Sequence, residues 1–240
     1  MSHSLERIFG KSDVDSRNDR GEHWLSISDL MAGLMMVFLF VSIALMRDAM
    51  IERDKIKEVA VAYQENQVDL YEALISEFKE DLKRWDADIE KETLSFQFKS
   101  PDVLFDTGKI SLKPAFQEIL TDFFPRYLEV LMSFRDSIDE VRIEGHTSSV
   151  WSTTSSDGEA YFNNMELSQG RTRSVLSYVY SLPSINANKS WVKESVAAVG
   201  FSSSRLIRKP DGREDFERSR RVSFRVITNA ETQIRKILEN

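Results

Sequence analysis

The chain has 240 residues, a formal net charge of −7, a sequence pI near 5.2 and a mean hydropathy of −0.35. The acidic balance argues against nucleic acid as a partner, since nonspecific binding needs a basic footprint. The absence of cysteine excludes disulfides, thiolate metal sites and cysteine nucleophiles.

Residues 1–23 are mostly polar and read as a tail. Residues 24–46 are apolar, with no charge between Leu30 and Met46. The 22 residues from Leu25 to Met46 would make a helix about 33 Å long, enough to cross a bilayer. The run is too long for a signal peptide and ends without a clean small-residue cleavage site, so an uncleaved anchor is expected. Trp24 suits a membrane interface, and Ala32 and Gly33 permit close helix contact. Basic residues on the two flanks (Arg7, Lys11, Arg17 and Arg20; Arg47, Arg53, Lys55 and Lys57) are mixed with acids and give no orientation.

Within this span stands Asp29. A carboxylate in hydrocarbon costs roughly 2.5–3.5 kcal/mol on insertion scales and usually faces a partner or an ion path. The bland alternative is a helix N-terminal charge favoured by the dipole, if the helix starts near Ser28.

Residues 47–92 contain neither Gly nor Pro. Ile56, Val59, Tyr63, Leu70, Leu74, Phe78, Leu82, Trp85 and Ile89 form one helical stripe. A helical stalk is expected, packed on its own domain or paired in a dimeric coiled-coil neck.

From Thr93 the period changes to two, and Leu94, Phe96 and Phe98 predict a half-buried strand. A helix follows from about Lys113 to Met132, with Ser111 as its N-cap and Pro125 as a kink or break. A second strand covers Val141 to Glu144 and ends at Gly145. Residues 147–160 read as a Ser/Thr-rich loop. A helix from about Phe162 to Leu182 stops at Pro183, and a short one covers Asn188 to Glu194. Strands at Val196–Phe201 and Arg221–Ile227 flank a turn at Asp211-Gly212 and helical turns at Glu214–Ser219. Residues 93–240 therefore form an α+β domain with a mixed sheet and helices on one face.

Three segments carry a resemblance. Leu104-Phe105-Asp106-Thr107-Gly108 through Leu112-Lys113-Pro114, Ile143-Glu144-Gly145-His146-Thr147, and Asn164 through Leu167-Ser168 to Arg171 resemble OmpA-like peptidoglycan-binding domains. Val199-Gly200-Phe201 and Arg220-Arg221-Val222 resemble their closing strands. Asp29-Leu30-Met31 resembles the ion-binding stretch of flagellar stator B subunits. Together these make a MotB-like layout, similar within that family to the stator-like subunit of the Zorya anti-phage defence system.

The resemblance implies a single-pass protein of the bacterial inner membrane, with a cytoplasmic N-terminus and a periplasmic domain. It implies a homodimer inside a ring of a MotA-like (ZorA-like) multi-span subunit, with Asp29 carrying the translocated proton; Ser26 and Ser28 could instead supply oxygens to sodium. It assigns peptidoglycan binding to Thr147, Ser148, Asn164, Leu167, Arg171 and Arg220, and implies no cofactor, no metal and no enzymatic reaction.

The chain departs from the family at Ser148, where an Asp that pairs with the diaminopimelate ammonium is usual. Glu144, Asp157 or a backbone carbonyl would have to replace it. Ser219 and Phe216 also depart, standing in place of the usual Asn and Arg. Arg171 could alternatively make a surface ion pair on its helix, and His146 reads as a locally bonded turn residue. Ser148, His146 and Asp157 lack the nucleophile elbow of a hydrolytic triad.

Overall fold

In the computed structural model, residues 15–229 apart from 100 are described, with side chains over 27–61, 64–99 and 103–229. The expectations for residues 1–14, and for the side chains of Trp24, Ser26 and Tyr63, lie outside the described residues.

The first element is one helix, α1, running Asp15–Arg84 over 70 residues. The tail expected up to residue 23 is thus helical from Asp15, and the separate membrane and stalk segments are one continuous helix. With the helix starting there, Asp29 lies about four turns in, so the N-terminal dipole reading of Asp29 is overturned. Its apolar part is the one stretch, among the described residues, long and apolar enough to cross a membrane. Ile27, Leu30, Met31, Leu34 and their neighbours to Met46 are exposed.

The chain divides into two compact units, residues 1–57 and 58–240. The second unit includes the C-terminal end of α1. Leu70, Leu74 and Phe78 are fully buried there. The stripe expected as a stalk is therefore core of the chain's own domain from Leu70 onward, which corrects the boundary placed at residue 93. Arg126 fastens this segment, reaching Glu77 at 2.6 Å, Asp81 at 2.9 Å and Asp122 at 3.1 Å. Burial works against the Arg126 charge, but these three carboxylates outweigh it and raise its pKa. Asp86 follows the helix in the left-handed region at φ 47° and turns the chain away.

The remaining elements build a five-stranded sheet. Strands β1 (Ala87–Glu90), β2 (Ser95–Phe98), β3 (Ile138–His146), β4 (Val196–Gly200) and β5 (Arg221–Thr228) lie in the order β1-β2-β5-β3-β4. Only β3 and β4 pair in parallel. Ile89 continues the helical stripe by spacing, yet it sits in β1 opposite Phe96. Helices α2 (Pro101–Leu104), α3 (Pro114–Ser133), α4 (Asp157–Ser181), α5 (Lys189–Ser195) and α6 (Phe216–Ser219) complete the unit. Helix α4 is the crossover between the parallel pair, as such a connection requires.

Three details correct the sequence reading. Helix α3 begins with Pro114 after Lys113 and has no side-chain cap, so Ser111 does not cap it; proline at the first helical position needs no donor partner. The helix also continues through Pro125. Proline costs an interior helix about 3 kcal/mol, but Phe116, Leu120, Phe123, Tyr127, Leu128 and Leu131 are all buried along it. Helix α4 starts five residues earlier than expected, because Ser156 and Glu159 form a capping box.

The core lies on the helix-covered face of the sheet. Phe123 meets Phe96 at 4.6 Å, Tyr127 at 4.9 Å, Phe224 at 5.0 Å, Phe98 at 5.2 Å and Phe78 at 5.3 Å between ring centroids. Alternate strand residues (Gln97, Arg142, Glu144, Ser223 and Arg225) point to the other face, as period-two geometry demands.

Candidate functional site

A cleft of about 450 Å³ opens between three loops and α4, lined by Phe105, Thr107, Gly108, Thr147, Ser148, Val150, Trp151, Asn164, Leu167, Arg171 and Arg220. All six residues assigned to peptidoglycan binding from the sequence line it. Asn164, Leu167 and Arg171 are spaced i, i+3, i+7 and so share one face of α4. Thr147 and Ser148 follow the end of β3, and Arg220 stands between α6 and β5.

The backbone beneath explains the glycine spacing in two of the motifs. Gly145 on β3 is paired with Gly200 on β4. A Cβ on Gly145 would lie 2.8 Å from the Ser168 carbonyl oxygen, and one on Gly200 would lie 2.5 Å from the Gln169 backbone nitrogen. The two glycines let α4 approach the sheet, which sets the depth of Asn164, Leu167 and Arg171. Gly200→Ala is expected to cost about 1–3 kcal/mol by overpacking. Thermal melts of the purified chain would show it as a lowered midpoint, with weakened ligand binding because α4 is displaced.

Three polar residues of the cleft are tied to backbone carbonyls. Asn164 is buried and its Nδ2 donates to the carbonyls of Ser148 (3.2 Å) and Val150 (3.4 Å), which shapes the loop. Arg171 donates from Nε to the Lys109 carbonyl at 2.9 Å and from Nη2 to the Asp106 carbonyl at 3.1 Å. Its guanidinium also stands over the Phe105 ring, 4.7 Å from the centroid. The alternative of a surface ion pair on α4 is overturned, because these partners are backbone carbonyls of another loop. Burial first, and the neighbouring Arg220 charge second, lower the Arg171 pKa to about 10, which leaves it cationic at neutral pH. Thr147 is buried and its Oγ1 has no hydrogen-bond partner. Arg220 donates from Nε to the Phe216 carbonyl at 3.1 Å.

His146 is a strand residue, not the turn residue expected. It pairs with Arg221 across β3 and β5 and stacks on Phe201 with ring centroids 5.4 Å apart. Glu144 is buried beside it, 3.4 Å from His146 Nε2, 3.4 Å from Arg205 and 3.9 Å from Arg225. It is committed to these partners and does not line the cleft. Neither does Asp157, exposed at the start of α4. Two of the acceptors considered for an ammonium are therefore unavailable, and the same placement disperses the imagined Ser148–His146–Asp157 triad.

Burial lowers the His146 pKa against the opposing pull of Glu144. For Glu144 burial alone would raise the pKa, but His146, Arg205 and Arg225 outweigh it and lower it. At neutral pH the two arginines hold the carboxylate and His146 is neutral. Both folded-state values lie below the unfolded ones, so the unfolded chain binds more protons in each window. Stability is fully present above pH 6.5 and is lost first as pH falls below that ordinary His value, then again below the ordinary Glu value of 4.5. Melting midpoints should fall between about pH 7 and about pH 5, and His146→Gln should flatten that fall.

Phe105, Val150 and Trp151 also line the cleft, outside the six residues that the resemblance implies. Trp151, partly exposed within a polar loop, was the available signal.

No family model matches the chain. It is 57% identical over 235 residues to the Zorya protein ZorB of Escherichia coli, covering 98% of this chain and 100% of that one. Among solved structures, a MotB-like protein from Desulfovibrio vulgaris aligns at 20% identity with a TM-score of 0.49, over 69% of this chain and 93% of that chain. The periplasmic domain of Helicobacter pylori MotB (residues 78–256) aligns at 15% identity with a TM-score of 0.41, over 61% and 84%. Identity of this extent along the whole chain, with an apolar N-terminal helix followed by a mixed-sheet domain, places the chain in the family of the Zorya protein ZorB.

Proposed function

We propose that the chain is an inner-membrane, ion-driven motor subunit held to peptidoglycan, acting with a MotA-like partner in anti-phage defence. The observation that carries this reading is the convergence of Thr147, Ser148, Asn164, Leu167, Arg171 and Arg220 on one cleft, in a chain 57% identical to a Zorya protein.

The cleft suits a carboxylate. The Arg171 guanidinium is held in place by two backbone carbonyls, and the rest of its donor fork remains for a ligand. Trp151 and Leu167 offer apolar surface alongside. A stem peptide bound there would fix the domain against the cell wall.

Asp29 supports the motor half. It stands in an apolar helix, and Ala32 and Gly33 at i+3 and i+4 share its face, where a partner helix can approach closely. Removal from water favours the neutral form of a carboxylic acid, and access to water favours the charged form. Proton arrival and release would therefore switch the packing of this face against a ring of partner helices. One elementary charge crossing 100 mV yields about 2.3 kcal/mol, several times thermal energy. The proton is the favoured ion, and no cofactor is needed. Two copies would sit inside the ring, with the N-terminus cytoplasmic and the domain in the periplasm.

Co-sedimentation of the full-length chain with purified peptidoglycan tests the anchoring. The chain should pellet with the polymer, and Arg171→Ala should weaken retention about tenfold or more by removing a charge-assisted bidentate contact. Retention unchanged in Arg171→Ala would end the assignment of this cleft.

A further inference from the structure

The charges that line the cleft are all positive. Arg171 and Arg220 are its charged members, and no carboxylate stands among the lining residues. Among the described residues neither guanidinium has a carboxylate partner, and Arg220 acts on Arg171 as a repelling like charge. Acids on the bordering segments are turned elsewhere: Asp106 reaches Lys113 at 3.2 Å, and Glu214 holds the Ser149 backbone and hydroxyl. Ser148, also on the lining, is half-buried and carries a neutral hydroxyl.

These facts limit what can sit beside a bound carboxylate. An ammonium brings one positive charge and three donors. Here it would meet two guanidiniums and no carboxylate of the protein, so neutral acceptors alone would have to offset its lost hydration. An acylated amine brings no charge and one donor, and a single neutral acceptor such as the hydroxyl of Ser148, half-buried on the cleft lining, can satisfy it. We propose that the cleft selects a stem-peptide carboxylate whose adjacent amine is already acylated, as it is at a peptide cross-link. This inference rests on the peptidoglycan reading and names the part of the polymer that the cleft takes. The domain would hold the cross-linked mesh and not its free peptide ends.

Three soluble muropeptides distinguish the outcomes: one with a free diaminopimelate amine, one with that amine acetylated, and one with the neighbouring carboxylate amidated. Binding to the full-length chain in detergent is measured by calorimetry. The acetylated form should bind at least as tightly as the free amine, and the amidated form should lose about tenfold or more. Ser148→Asp, at a half-exposed position, should reverse the preference toward the free amine by supplying the missing anion. Binding that weakens about tenfold on acetylation, or a preference that Ser148→Asp leaves unmoved, would overturn the inference and leave peptidoglycan anchoring intact. Failure of all three muropeptides to bind would instead sink the anchoring itself.

Discussion

Cells carrying Asp29→Asn should lose phage protection to the level of cells without the chain, while the protein still inserts and assembles with its membrane partner. Asparagine keeps the shape and much of the hydrogen bonding of the side chain but cannot gain or lose a proton. If the carboxyl group is the ion carrier, no conservative neutral substitute can run the cycle. Plating efficiency reports the phenotype, and co-purification of the partner shows that assembly is intact. Flux in reconstituted vesicles, read by a pH-sensitive dye, separates the ion role from any structural one. Full protection by Asp29→Asn in an assembled complex would leave a passive wall tether as the function. Asp29→Glu should retain partial activity, because the acid survives but its reach grows by one methylene.

The second large effect concerns where the soluble domain begins. A fragment of residues 58–240 should fold cooperatively, whereas residues 93–240 should not. The shorter fragment loses Leu70, Leu74, Phe78, Trp85 and Ile89, which are exposed by only 2%, 0%, 0%, 7% and 5%. At about 2 kcal/mol for each buried side chain, the loss is of order 10 kcal/mol as an upper bound. A domain of this kind has about 5–15 kcal/mol in total. The truncation also removes β1, leaving β2 as an unpaired edge, and strands Arg126 without Glu77 and Asp81. Circular dichroism melts of the two fragments would decide the matter. A cooperative transition in residues 93–240 would show that the end of α1 is dispensable. In the intact chain Phe78→Ala should cost about 3–5 kcal/mol, because the ring meets Phe96, Phe123 and Trp85.

Much of the site was legible through the resemblance of short motifs, each of which sits on one local element. The spacing of Asn164, Leu167 and Arg171 is a helical period, and Gly145-His146-Thr147 follows an alternating strand. Four of the five strands are legible in the sequence, β2 and β5 as period-two runs. Strand β1 was not, because Ile89 is its one large apolar residue and also continues the helical stripe of Trp85 and Leu82. Only pairing with β2 decides that segment, since the antiparallel partner satisfies its backbone. The fate of Glu144 was equally hidden. Its neighbours Arg205 and Arg225 are 61 and 81 positions away, and nothing local distinguishes a committed carboxylate from a free one.

By itself the sequence determined the apolar helix with Asp29 inside it and the order of the main elements, because hydrophobic period and short-range spacing are properties of neighbouring positions; six residues of the cleft came from the resemblance of its motifs to a known family. The tertiary structure alone decided that the end of α1 belongs to the core, that β1 is a strand, and that the cleft holds two guanidiniums with no acid. Those outcomes depend on which distant side chains compete for the same burial and the same charges, and no local pattern encodes that competition.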